Sequence, residues 1–258
     1  MDATGAADPT LAVFRNLVKH HASIPFTVQG PECGLNVEGG HTLAWELVEQ
    51  LSRDHPEVTE LRAAYIQVGG GALGAGLAQG LVRAIEHREL DPLLGSSASS
   101  ASRGATLSAV PALRCVQPDG NAPLARAYER MQAAQPPTDA SQAAQARSSY
   151  MWPWPNPASV AHGLLDDETY DWAALCDGMQ RMGAGSGPVV VDDVTIVGAH
   201  ARASKELGVT TCHTGATGFA GLLSDRQAEG DAAGAAPDLV VFTGVDRSVV
   251  PEARCEAG

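Results

Sequence analysis

One short stretch limits the fold more than any other. The apolar run Ala64–Val68 breaks into Gly69-Gly70-Gly71, and Leu73, Leu77, Leu81 and Ile85 then repeat at every fourth residue. The run reads as a short buried strand and the repeat as a helix, with the glycines as the turn between them. A strand, tight turn and helix in this order belong to a parallel sheet covered by helices. The rest of the chain continues the alternation. Leu43, Leu47 and Leu51 mark a helix over Thr42–Arg53, Leu113–Val116 a strand, and Pro123–Met131 a helix opened by proline. Pro188–Val191 reads as a strand, Ile196 to Leu207 as a helix with Asp192-Asp193 at its N-cap, and Val209–Cys212 as another strand. A short helix around Phe219–Leu223 and a last strand, Leu239–Phe242, complete the pattern. The expected fold class is α/β, a doubly wound parallel sheet with helices on both faces. Gly74, Gly76, Ala78 and Gly80 should let their helix approach a sheet closely. Residues 95–106, 132–149 and 225–237, rich in small and polar residues, read as loose loops.

Composition narrows the functions. The net charge of -13 over 258 residues would repel a phosphate backbone, so nucleic acid is not an expected partner. No apolar run of about eighteen residues is present, so no membrane span is expected. Residues 1–8 lack the basic-then-apolar pattern of a secretory signal. The five cysteines are odd in number and form no C-x-x-C pair. They suggest neither a disulfide framework nor a zinc knuckle, and point to a reducing cytoplasm.

The glycine turn carries the clearest chemistry. Successive N–H groups at a helix N-terminus make a site for a phosphate dianion, and an acidic chain needs such backbone donors to hold one. Gly69, Gly71 and Gly74 also satisfy the dinucleotide pattern G-x-G-x-x-G. That reading wants an acid at the end of a second strand about twenty residues on. Glu89 and Asp91 are near that distance but follow a polar, helix-like stretch, so a dinucleotide ranks second. A plain strand-to-helix turn with no ligand competes with both.

Other groupings are weaker. Asp166-Asp167-Glu168 reads as solvated acids or acids favoured by a helix dipole rather than a metal site. The histidines show no H-E-x-x-H spacing, and no G-x-S-x-G elbow occurs. Trp152 and Trp154, set among prolines, read as residues that pack a loop onto the core.

The segments around the glycine turn carry a resemblance. Pro25 to Glu32, then Leu35-Asn36-Val37-Glu38-Gly39-Gly40-His41-Thr42-Leu43, then the glycine loop, resemble the middle of fold-type II pyridoxal-phosphate enzymes. That group includes tryptophan synthase β, threonine synthase and threonine dehydratase. Cys212-His213-Thr214-Gly215-Ala216-Thr217-Gly218 resembles its C-terminal signature. Further matching stretches begin at Val116, Met151, Gly163 and Thr243, so the resemblance covers residues 8–250. It implies pyridoxal 5'-phosphate as cofactor, with Gly69, Gly70, Gly71, Ala72 and Gly74 around its phosphate. It implies that Thr214, or alternatively Thr217, offers a neutral hydroxyl to the pyridine nitrogen. An N-cap role competes for the same threonine. The implied chemistry is elimination or replacement on a small amino-acid substrate, and the implied assembly is a homodimer.

The resemblance also exposes a gap. The family's Schiff-base lysine lies in a Ser-x-Lys segment well before the region matched here. The chain has two lysines, Lys19 and Lys205, and neither stands in such a segment. Lys205 reads as a surface residue beside Glu206. The expectation is therefore an incomplete form of the two-domain fold, inactive alone by the family mechanism. Such a form would tend to aggregate or to need a complementary N-terminal partner. A non-catalytic ligand-binding or interaction protein, and a nucleotide-binding α/β domain, are the alternatives.

Overall fold

A computed structural model describes residues 9–20, 25–27, 33–86, 107–229 and 236–246. The fold grows from its central strand. β1 (Ala63–Gln67) is buried at all five positions, as an apolar run covered on two faces must be. It leads through the glycine turn into α3 (Ala72–Ile85), which returns to β2 (Ala112–Pro118). α4 (Pro123–Ala133), α5 (Ala140–Gln145) and α6 (Trp172–Arg181) intervene before β3 (Gly187–Val191). α7 (Asp193–Leu207) and α8 (His213–Glu229) precede β4 (Leu239–Val240), while α1 (Pro9–His20) and α2 (Gly34–Asp54) precede β1. The strands lie in the order β3-β2-β1-β4 and every pairing is parallel.

Alternation along the strands separates two cores. Ala64, Ile66, Leu113 and Cys115 pack with α2, α3 and α6 on one face. Ala63, Tyr65, Ala112 and Val116 pack with α7 and α8 on the other. Each fully buried aliphatic side chain contributes roughly 1.5–3 kcal/mol, so both faces need their helices. The α/β class, the parallel sheet and its two covered faces thus stand as read from the sequence.

Several expectations change. The segment 132–149 is not one loop: α5 forms there, capped where Asp139 accepts a hydrogen bond from the Gln142 N–H at 2.8 Å. Ala140 and Ala143 bury against the core, which gives this Ala-rich stretch a reason to fold. α8 extends through Glu229, so 225–229 is helix, and 230–235 fall outside the described residues, as do 95–106. Val209–Cys212 is not a strand. It is tied at Thr211, whose Oγ1 donates to the Thr243 carbonyl at 2.8 Å, rather than by a ladder. α2 begins at Gly34, eight residues before the expected start, and α1 and α6 were not legible as helices. Gly76 and Gly80 approach α2 instead of a sheet. A Cβ would stand 2.9 Å from Gly40 Cα at the first, and 2.7 Å from Ala44 Cβ at the second. The small-residue stripe of α3 meets a matching stripe on α2.

Candidate functional site

Because β2 and β4 flank β1 on opposite sides, the chain reverses its winding at the carboxyl end of β1. In open α/β sheets this switch point is where ligands bind. Four pieces converge there: the glycine turn, the N-terminus of α8, the end of β4 and residues 162–171.

The glycine turn is built as the sequence implies. Gly71 adopts φ +101°, a left-handed conformation, and Ala75 N–H donates to its carbonyl to begin α3. Ala72 opens the helix. Gly74 points inward, where a Cβ would lie 3.0 Å from Leu175 Cδ2 and 3.6 Å from Ile66 Cγ2. Gly69 and Gly70 face the 162–171 segment.

That segment is held in place by residues the sequence reading did not single out. Asn121, fully buried just past β2, donates through Nδ2 to the carbonyls of Leu164 (2.7 Å) and Asp166 (2.8 Å). Gln117 Nε2 donates to the Val68 carbonyl and to Thr169 Oγ1, both at 3.2 Å. Its Oε1 accepts from the N–H groups of Leu124 and Ala125, capping α4 behind Pro123. Asp171 N–H donates to the Gly70 carbonyl at 2.8 Å. The available signal was a set of polar residues, Gln117 to Asn121, at the end of an otherwise buried strand.

Asp166 is the residue this frame delivers. A Cβ on Gly69 would lie 2.9 Å from Asp166 Oδ2, and one on Gly70 3.3 Å from it. The Asp166 carboxylate therefore lies against the backbone of Gly69 and Gly70. Burial, and then the neighbouring Asp167, push the Asp166 carboxyl above its ordinary range, and the Gly70 amide offsets this in part. Burial followed by Glu168 raises Asp167 likewise. Glu168 pairs with Arg147. The acids are therefore not simply solvated. Among the described residues no group of three or more His, Cys, Asp or Glu side chains could hold a metal ion.

Thr214 stands in the first turn of α8, and its Oγ1 accepts from the Gly163 N–H at 3.0 Å. A hydroxyl that accepts this bond keeps its own proton to donate. Thr217, the alternative, is buried and donates to the His213 carbonyl inside the helix at 2.9 Å. The glycine turn and Thr214 thus both meet the same segment at Gly163. The His213 ring lies 4.3 Å from that of His200, and burial followed by His200 lowers its pKa. Nearby, Asp192 caps α7 by accepting from Thr195 N–H at 2.8 Å, whereas Asp193 holds Ser159 and the Val160 N–H.

Lys205 lies exposed in the last turn of α7. That helix starts at the carboxyl end of β3 and runs back, so Lys205 sits at the other end of the sheet. Lys19 is exposed in the last turn of α1. Trp152 and Trp154 stack on Arg126, whose guanidinium carbon lies 4.0 and 5.1 Å from the two rings, in place of the expected packing onto the core. No described helix is long and apolar enough to cross a membrane.

No family model and no curated protein matches the sequence. Solved structures do match its fold. The T.th. threonine deaminase superposes with a TM-score of 0.53 at 20% identity, over 84% of this chain and 60% of that one. The processed form of threonine deaminase isoform 2 from Solanum lycopersicum gives 0.54 at 17%, over 83% and 47%. Serine racemase from Dictyostelium discoideum gives 0.54 at 16%, over 92% and 58%. The likeness shows a shared fold, and the chain spans 47% to 60% of the length of these three.

Proposed function

We propose that the chain binds pyridoxal 5'-phosphate at the carboxyl end of its sheet and forms part of an amino-acid lyase or synthase. The observation that carries this reading is an anion already held by the glycine turn. The Asp166 carboxylate of the chain itself lies against Gly69 and Gly70, at the junction of β1 and α3. The donor set therefore fits an anion, and the small volume of Gly69 and Gly70 suits close approach of a phosphate. The fold shared with threonine deaminases and a serine racemase, together with the resemblance of the segments around residues 25–43 and 212–218, favours this cofactor over a dinucleotide.

In this reading Gly69, Gly70, Gly71 and Ala72 hold the phosphate through backbone amides, and Gly74 shapes the turn from behind. Thr214 donates its remaining proton to the pyridine nitrogen and leaves that nitrogen unprotonated. Bound there, the cofactor supplies an electron sink for bond cleavage at an amino acid. The sequence contains no further lysine beyond Lys19 and Lys205. The group that would bond the cofactor and move the Cα proton is then supplied by another polypeptide segment. Exposed apolar side chains next to the turn support such a partner surface: Phe26 is 97% exposed, Leu35 74% and Leu73 40%. Assembly as a homodimer, and the choice among tryptophan-synthase-like, threonine-synthase-like and dehydratase-like reactions, belong to the same proposal.

Titration of the purified chain with pyridoxal 5'-phosphate, read by visible absorbance and borohydride trapping, tests this. Saturable binding with no reducible adduct is expected. A stoichiometric adduct at Lys19 or Lys205 would overturn the claim about the lysine, and absence of binding would overturn the cofactor site.

A further inference from the structure

The glycine turn that would hold a phosphate is already occupied by Asp166. A carboxylate and a phosphate cannot share one backbone amide as neighbouring anions without strong repulsion, and burial sharpens that repulsion. The backbone that carries Asp166 is also not free to leave. Its own carbonyl is bound by Asn121, and the next turn of chain is tied to Gly70 through the Asp171 N–H. The backbone that carries Asp166 is thus fixed on both sides of the turn. What can change locally is the charge and rotamer of its side chain.

Resting on the phosphate reading, we infer that Asp166 is a specificity-determining residue of this site, and that a phosphate enters the turn together with one proton taken up by the Asp166 carboxyl. The proton comes from solvent and resides on a carboxyl oxygen, which then donates to a phosphate oxygen. The Gly70 N–H passes from the carboxylate to the phosphate. No covalent bond changes. Protonation converts the competing anion into a hydrogen-bond donor, the only form in which an aspartate helps to hold a phosphate.

The surroundings favour this coupling. On its own segment Asp166 is followed by Asp167 and Glu168, and Glu168 is already paired with Arg147. Tyr170 contributes a neutral ring against Gly70. The first turn of α3, from Ala72, has no charged residue, and the end of β2 contributes the neutral Asn121. The N-terminus of α8 brings Thr214, bonded to Gly163, and His213, whose ring lies 4.3 Å from that of His200 and which also feels the charges of Asp246, His162 and Asp193. The histidines also gain charge as pH falls and would draw an anion, so the test must separate them from Asp166.

Sulfate separates them from the ligand's own titration, because it stays a dianion throughout the range. Calorimetric titration of the full chain with sulfate and with pyridoxal 5'-phosphate, from pH 8 to pH 5 in buffers of different ionisation enthalpy, reads affinity and proton uptake together. Tightening that approaches tenfold per pH unit, with uptake approaching one proton, is expected for the native chain. Asp166→Asn should bind both anions at least tenfold more tightly at pH 7.5, and should retain a weaker pH dependence than the native chain. Asp166→Ala, which has no amide to compete for the Gly70 N–H, should behave the same way, and a thermal melt checks that both variants fold. Native and Asp166→Asn proteins that bind with equal affinity and equal pH slope would overturn the inference while the phosphate site stands. Failure of every protein to bind either anion at any pH would instead overturn the phosphate reading, and the inference with it.

Discussion

The two ends of the sheet treat charge in opposite ways. At the amino end Arg62 donates to Asp238 and Glu229, Arg226 donates to the same Asp238, and Asp225 accepts from both Arg114 and the Tyr65 hydroxyl. Cation and acid alternate, and the network ties the start of β1 and the approach to β4 to the second half of α8. At the carboxyl end Asp166 and Asp167 are neighbouring acids, both raised by burial and by an adjacent carboxylate, and the His200 and His213 rings lie 4.3 Å apart. The first arrangement fixes the fold. The second leaves unfavourable charge where an incoming ligand can relieve it. Natural sequences depart from internal consistency mainly at functional sites, and the contrast supports the proposed site from the chain's own residues.

The comparison breaks if the amino-end network does not hold the fold. Asp238 has only 4% of its side chain exposed and answers two arginines that are about a quarter exposed. Asp238→Ala leaves Arg226 without its carboxylate and Arg62 with Glu229 alone, and should cost about 3 kcal/mol in urea unfolding. A loss below about 1 kcal/mol would put this pair among ordinary surface ion pairs and remove the contrast. Gly71→Ala should follow at about 2 kcal/mol, because it forces a side chain into the left-handed region. Its Cβ would also stand 2.9 Å from Leu175 Cδ1 and 3.1 Å from Thr169 Cγ2. This substitution sharpens the comparison in another way. It should weaken sulfate binding as well as stability, whereas Asp238→Ala, at the far end of the sheet, should leave binding by the folded fraction unchanged.

The sequence revealed the frame more readily than the site. Strands such as Ala63–Gln67 and Gly187–Val191 are local apolar runs, and the leucine spacing of α3 is a local period, so both are legible without tertiary context. The glycine turn was legible because few other local arrangements need three successive glycines between a strand and a helix. α5 was missed because its composition, Ala-Ser-Gln-Ala-Ala-Gln, has no apolar period. Its two buried alanines acquire a face only when the core is present. Val209–Cys212 misled in the opposite sense, since its β-branched residues suit a strand but find no ladder partner. Asp166 could not be assigned from sequence at all. Its environment depends on Asn121, forty-five residues away, holding its carbonyl, and on a glycine turn nearly a hundred residues earlier in the chain. Adjacent acids in sequence give no sign of which one is turned inward.

The smallest expected effect is also the one that separates the two kinds of titrating group at the carboxyl end. His213 has its pKa lowered from 6.5 in the folded chain, first by burial and then by His200. Folding therefore favours its neutral form, so its contribution to stability is present above pH 6.5 and is lost as pH falls through the lowered folded value. Asp166 is raised from 3.8, so folding favours its protonated form, and that contribution is present below 3.8 and lost as pH rises through the raised value. The two contributions have opposite signs as the solution is acidified. His213→Gln should remove the acid-side loss and change the melting temperature difference between pH 7.5 and pH 5 by about 2 °C. Asp166 is not among the charges that shift His213, so the same histidine substitution should produce an equal difference in an Asp166→Asn background. Unequal effects of His213→Gln in the two backgrounds would mean that the aspartate and the histidine are coupled and act as one titrating unit.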